Sequence, residues 1–148
     1  MNVIINVKNC IQSYKTPDNI RYLNENWWYW RNKNIRTSLF INPTLKDVRY
    51  SKKINTKCIE IHTGKISDLV KNNKNYENEL KRIKSCSKYA SLLGIEVHAG
   101  HGMDYKTAKI LSKINEIKEF NIGHFIIGEA ISIGLMDVIK RFKKIIRK

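Results

Sequence analysis

The 148-residue chain has the length of one ordinary domain, and its 28 Lys and Arg against 13 Asp and Glu give a formal net charge of +15. Its 42% hydrophobic content is enough for a core, but the chain is too short for a complete eight-stranded α/β barrel, which takes roughly 250 residues. No apolar run approaches the roughly 20 residues of a membrane span, and the start Met1-Asn-Val-Ile-Ile-Asn-Val7 lacks the pattern of a signal peptide. Three scattered cysteines (Cys10, Cys58, Cys86) form no Cys-x-x-Cys pair, which argues against a disulfide framework and a zinc knuckle and for a reduced, cytoplasmic protein. The cations are mostly Lys spread over the whole length, not an Arg- and Gly-bearing stripe, so nucleic acid is not the expected partner. Those in Lys140–Lys148 also complement a helix C-terminus.

In chain order, residues 2–7 read as a strand and Tyr14–Asn19 as a turn broken by Pro17. Residues 20–33 read as a helix with Leu23, Trp27 and Trp30 on one face, the Trp27–Trp30 cluster serving as a packing surface in preference to a platform for bases. Ile35–Ile41 is a strand closed by Asn42-Pro43, Leu45 to about Ser51 a short helix, and Cys58–His62 a strand closed by Thr63-Gly64. The polar stretch 65–76 reads as a surface loop, and Glu77–Leu93 as a helix stopped by Gly94. Ile95–Ala99 is a strand, and Asp104 can cap a helix running to about Ile114. Glu119–Phe125 is a strand, and a final helix from about Gly128 carries the stripe Ile131, Leu135, Val138, Ile139, Phe142, Ile146. Strict alternation of five strands with helices predicts an α/β fold with a parallel sheet.

The four histidines, His62, His98, His101 and His124, all fall at or just past a predicted strand end, the functional face of such folds. Period-two geometry puts Cys58, Glu60 and His62 on one strand face and Glu96 with His98 on one face of the next. Parallel strands usually read as apolar runs, so a carboxylate and an imidazole inside them need a partner or a site. His101 sits between Gly100 and Gly102, where a ligand can approach closely and an imidazole can exchange protons near neutral pH. Gly123-His124 ends a strand just before a helix, a position that binds phosphate in many barrels. The rival chemistry is a divalent metal on His62, His98, His101, His124 and Glu60. It is disfavoured because a three-apart pair across a strand end and a glycine turn has no fixed geometry.

The segments Thr37-Ser-Leu-Phe-Ile41, Ile59-Glu-Ile-His-Thr-Gly64, Glu96-Val-His-Ala-Gly-His-Gly102 and Asn121-Ile-Gly-His-Phe-Ile-Ile-Gly128, in this order and spacing, resemble the C-terminal half of pyridoxine 5'-phosphate synthase. The resemblance covers residues 36–148 well and residues 1–35 loosely. It implies a partial (β/α)8 TIM-type barrel, corresponding to strands 4 to 8. It also implies condensation of 1-deoxy-D-xylulose 5-phosphate with 3-amino-2-oxopropyl phosphate, without metal or organic cofactor. By resemblance His101 is the proton donor and Glu60 the carboxylate supporting proton transfers. Gly102, Gly123, His124 and Thr16 hold substrate and phosphate groups.

The chain departs from the family at His98, where Asn is usual, and at Glu129, where Arg is usual. The acid–base and substrate-binding groups that the family carries on its first strands have no counterpart here. The expectation is therefore a truncated synthase, inactive alone, that forms a homo-oligomer or pairs with a complementing N-terminal half. The other function class is a non-catalytic remnant or a basic nucleic-acid-binding protein.

Overall fold

The structure, a computed structural model, describes residues 38–146. The elements are β1 (Ser38–Ile41), α1 (Leu45–Lys53), β2 (Cys58–His62), α2 (Gly64–Lys71), α3 (Glu77–Leu92), β3 (Glu96–Gly100), α4 (Tyr105–Leu111), β4 (Ile117–Asn121), α5 (His124–Ile133) and α6 (Leu135–Ile146). The strands form one parallel sheet in the order β1-β2-β3-β4. Four parallel strands alternating with helices, each paired with its neighbour in sequence, is the arrangement of a partial (β/α)8 barrel. The strand expected at 2–7 and the helix at 20–33 lie outside the described residues, as does Thr16.

The two sheet faces are chemically opposite. Leu39, Ile59, Ile61, Val97, Ala99 and Phe120 point to one side and build a core with Val48, Ile66, Ile83, Ala90, Leu111, Val138 and Phe142 from the helices. The other side carries Phe40, Glu60, His62, His98, Glu119 and Asn121, as the register pairs Phe40 with Glu60, Glu60 with His98, and His98 with Glu119. An irregularity at Val97/His98 skips Lys118 and restores the alternation so that Glu119 faces inward.

Local chemistry explains the helix starts. The Thr44 hydroxyl accepts the Asp47 amide at 3.1 Å to open α1, and the Asp104 carboxylate accepts the Thr107 amide at 2.7 Å to open α4. Glu77 and Glu79 occupy the first turn of α3, and Gly94 follows its end at φ +73°. Buried Glu79 is neutralised by Arg82 at 2.7 Å and Lys65 at 3.4 Å.

Several boundaries differ from the sequence reading. Residues 65–76 are not a surface loop throughout. Helix α2 occupies Gly64–Lys71 because Ile66 and Val70, one helical turn apart, are both buried. Helix α4 stops at Leu111, short of Ile114. Strand β4 spans Ile117–Asn121 and not 119–125, since His124 already begins α5. The single final helix from Gly128 is two helices broken at Gly134. Of its expected stripe Val138, Phe142 and Ile146 are buried, whereas Ile131 is 85% exposed and Leu135 is exposed. His98 lies within β3 and not at its end, and it is only 4% exposed. Among the described residues no helix is long and apolar enough to cross a membrane.

Candidate active site

Because the strands are parallel, their C-terminal ends gather at one side of the sheet. There β2 delivers His62, β3 delivers Gly100 and then His101 and Gly102, and β4 delivers Asn121, followed by Gly123 and His124. Glu60, two residues below His62 on the same strand face, reaches across the sheet. Its Oε2 accepts a 2.6 Å hydrogen bond from Asn121 Nδ2, two strands away. The residue between them is Gly100, which pairs with both His62 and Asn121. A Cβ there would fall inside the Glu60 carboxyl group, so the absence of a side chain is what gives the carboxylate its path. Burial raises the Glu60 pKa above the usual carboxylate range. The Asn121 hydrogen bond and the neighbouring His98 pull it back, and Glu119 pushes it up.

Deeper on this face His98 Nε2 lies 2.8 Å from Glu96 Oε1, and its Nδ1 lies 3.5 Å from Glu119 Oε1. The buried imidazole thus stands among carboxylates, with a partner on each side.

His101 occupies the left-handed backbone region at φ +79°, and Gly102 follows at φ +74°. The His101 ring is exposed and stacks on His62, with centroids 4.7 Å apart and planes 28° apart. Phe40 meets the His62 ring edge-on at 5.2 Å and the His101 ring at 6.2 Å. Gly64 lies beneath the pair. A Cβ on it would sit 2.8 Å from His62 Cε1 and 3.0 Å from His101 Cδ2. Gly102 approaches the same turn, since its own Cβ would meet Gly64 Cα at 3.3 Å.

The predicted residues therefore fall into two groups. Glu60, His101 and Gly102 come together around Gly100, with His62 beside them. Gly123 and His124 are exposed at the start of α5, just past the Asn121 that holds Glu60. Among the described residues no hydrogen bond or ring contact joins His124 to Glu60 or His101, and no group of three or more His, Cys, Asp or Glu is arranged to hold a metal ion. The sequence reading passed over Asn121, Phe40 and Thr63. Asn121 had a legible signal, because it lies two residues past Glu119 on the inward face of β4. Phe40 and Thr63 read simply as strand body and strand end.

Comparison with known proteins brings the fold and these positions into one context. Residues 13–148 match the family described as pyridoxal phosphate biosynthesis protein PdxJ. The chain is 62% identical over 116 residues to the pyridoxine 5'-phosphate synthase of Pelagibacter ubique (strain HTCC1062), covering 78% of this chain and 48% of that protein. It is 42% identical over 116 residues to the synonymous protein of Sulfurihydrogenibium sp. (strain YO3AOP1), with 78% and 47% covered. With that of Prochlorococcus marinus (strain AS9601) it shares 38% identity over 128 residues, covering 86% and 53%. The chain spans about half the length of the curated relatives it matches. With four parallel βα units and a family match over nearly its whole length, the chain belongs to the PdxJ family of pyridoxal phosphate biosynthesis proteins.

Proposed function

We propose that this chain carries the C-terminal half of a pyridoxine 5'-phosphate synthase site, which condenses 1-deoxy-D-xylulose 5-phosphate with 3-amino-2-oxopropyl phosphate. In this reading His101 is the proton donor and Glu60 the carboxylate that relays protons. Gly102, Gly123 and His124 hold substrate and phosphate, and Thr16 adds a substrate contact. The setting is cytoplasmic. The supporting observation is the Glu60 carboxylate, partly desolvated, fixed by Asn121 over the bare backbone of Gly100, one residue from a His101 held out in a strained conformation. A carboxylate whose pKa is raised by burial holds a proton more readily than an exposed one, which suits it to accept and return protons. The net charge of +15 adds a field that favours doubly anionic phosphate esters. The start of α5 at Gly123, where no side chain caps the helix, offers backbone N–H groups that suit a phosphate oxygen.

Ring formation needs several proton transfers on two anchored substrates, and residues 1–148 supply only part of that machinery. The test is complementation. The chain is co-expressed with the first barrel strands of a related synthase, and pyridoxine 5'-phosphate is measured by mass spectrometry. Residues 1–148 alone are expected to give no turnover and the pair to give product. His101→Ala and Glu60→Gln should each lower the rate by about 10²–10⁴. Full activity of the pair with His101→Ala would overturn the assignment.

A further inference from the structure

Thr63 follows β2 and occupies the N-cap position of α2, where a threonine hydroxyl ordinarily accepts a hydrogen bond from the first helical turn. Here it makes no such bond. The side chain turns away from its own helix toward the β3 loop. Its hydroxyl lies 2.7 Å from the carbonyl oxygen of Gly100 and 2.8 Å from that of His101, so its one proton is shared between two consecutive carbonyls. The Thr63 amide also donates to the Gly100 carbonyl at 2.9 Å. Thr63 is 0% exposed, so no water competes for these bonds.

We propose that Thr63 is a positioning residue for His101, holding the loop so that the imidazole stacks on His62 above Gly64. A non-glycine residue at φ +79° persists only where its surroundings over-determine it. The hydroxyl fixes the peptide planes on both sides of the His101 Cα, and therefore the direction of its Cα–Cβ bond. Next in sequence, Gly64 leaves the space the two rings occupy. Backbone clasp and ring seat thus come from one dipeptide, Thr63-Gly64, neither residue of which has an ionisable side chain. The inference rests on the reading that His101 is the proton donor, but its structural half can be tested without turnover.

Two readouts separate these parts. In the full chain, imidazole carbon and nitrogen resonances of the four histidines are followed by NMR in wild type, Thr63→Val, Thr63→Ser and Gly64→Ala. Thr63→Val removes the hydroxyl at nearly constant shape. It should shift and broaden the His101 and His62 ring signals while leaving those of His98 and His124 in place, and Thr63→Ser should restore them. Gly64→Ala keeps the hydroxyl but displaces the rings. It should perturb the same two signals, so it keeps the test decisive if Thr63→Val fails to fold. In the complemented enzyme Thr63→Val should lower kcat about 10²-fold at little-changed KM, the scale of a misplaced reacting group, with recovery in Thr63→Ser. Unchanged His101 signals in a folded Thr63→Val variant, or a serine variant that behaves like the valine one, would overturn the proposal. A perturbed ring with undiminished kcat would instead count against His101 as the donor.

Discussion

At the scale of single residues, Glu60 is the partly buried carboxylate of the candidate site, and its protonation has a measurable sign. Burial, offset by Asn121 and His98, leaves its pKa in the folded chain above the unfolded value of about 4.3. The native state then binds the proton more tightly than the unfolded one. This contribution to stability is greatest below the unfolded pKa and falls as pH rises through the folded pKa. Glu60→Gln keeps an acceptor for Asn121 and removes the charge. Urea unfolding at about pH 4 and about pH 7 should therefore show the variant gaining on the wild type at the higher pH. A variant that loses ground there would mean that the ionised carboxylate is better stabilised than its surroundings imply. The pairing of Glu60 with its own strand face was legible because strand geometry alternates. Its partner was not, because the acceptor and donor lie 61 residues apart and meet across a glycine. Likewise the left-handed backbone at His101 leaves no mark in the sequence beyond the glycines that flank it.

At the scale of elements, β1, β2 and β3 were readable from β-branched apolar runs ended by turn residues, and the helix at 77–92 from its stripe and glycine stop. Two of the departures have physical causes that the sequence hides. Helix α2 is short and polar enough to look like a loop, and only the folded core makes use of Ile66 and Val70. The α5–α6 break was hidden because the apolar residues keep a helical period across Gly134, although the backbone there turns to φ +81° and ψ +146°. That conformation is nearly closed to residues with a Cβ, while no atom lies within 4 Å of where a Cβ would go. Gly134→Ala should therefore destabilise through backbone strain alone, by about 1–3 kcal/mol, measured by urea unfolding. A neutral effect would mean that the two helices can merge into one.

At the scale of the whole molecule, the polar inner face and the exposed Ile127, Ile131, Leu135 and Met136 are surfaces that an additional polypeptide or another copy could cover. Residues 1–148 on their own are expected to self-associate. Sedimentation velocity should show species heavier than the 17.4 kDa protomer. Adding the first barrel strands of a related synthase should convert these to a defined complex. Monomers throughout the concentration range would contradict this. The parallel sheet was visible in the sequence as strict alternation of strand and helix, whereas its place in a partial barrel came through the family resemblance. The segregation of charge onto one sheet face was visible only in part, through Glu60, His62, Glu96 and His98.

The strand order carries a consequence for how the chain folds. Ser38 meets Cys58, and Val97 meets Ile117, each twenty positions apart, while Cys58 meets Glu96 at thirty-eight. Closing a chain segment costs entropy only logarithmically in its length, about 0.6 kcal/mol for each doubling. The three pairings are thus nearly equal in difficulty, and none must wait for a distant part of the polypeptide. The sheet can lengthen strand by strand in the order in which a ribosome releases it, each new βα unit finding its edge already built.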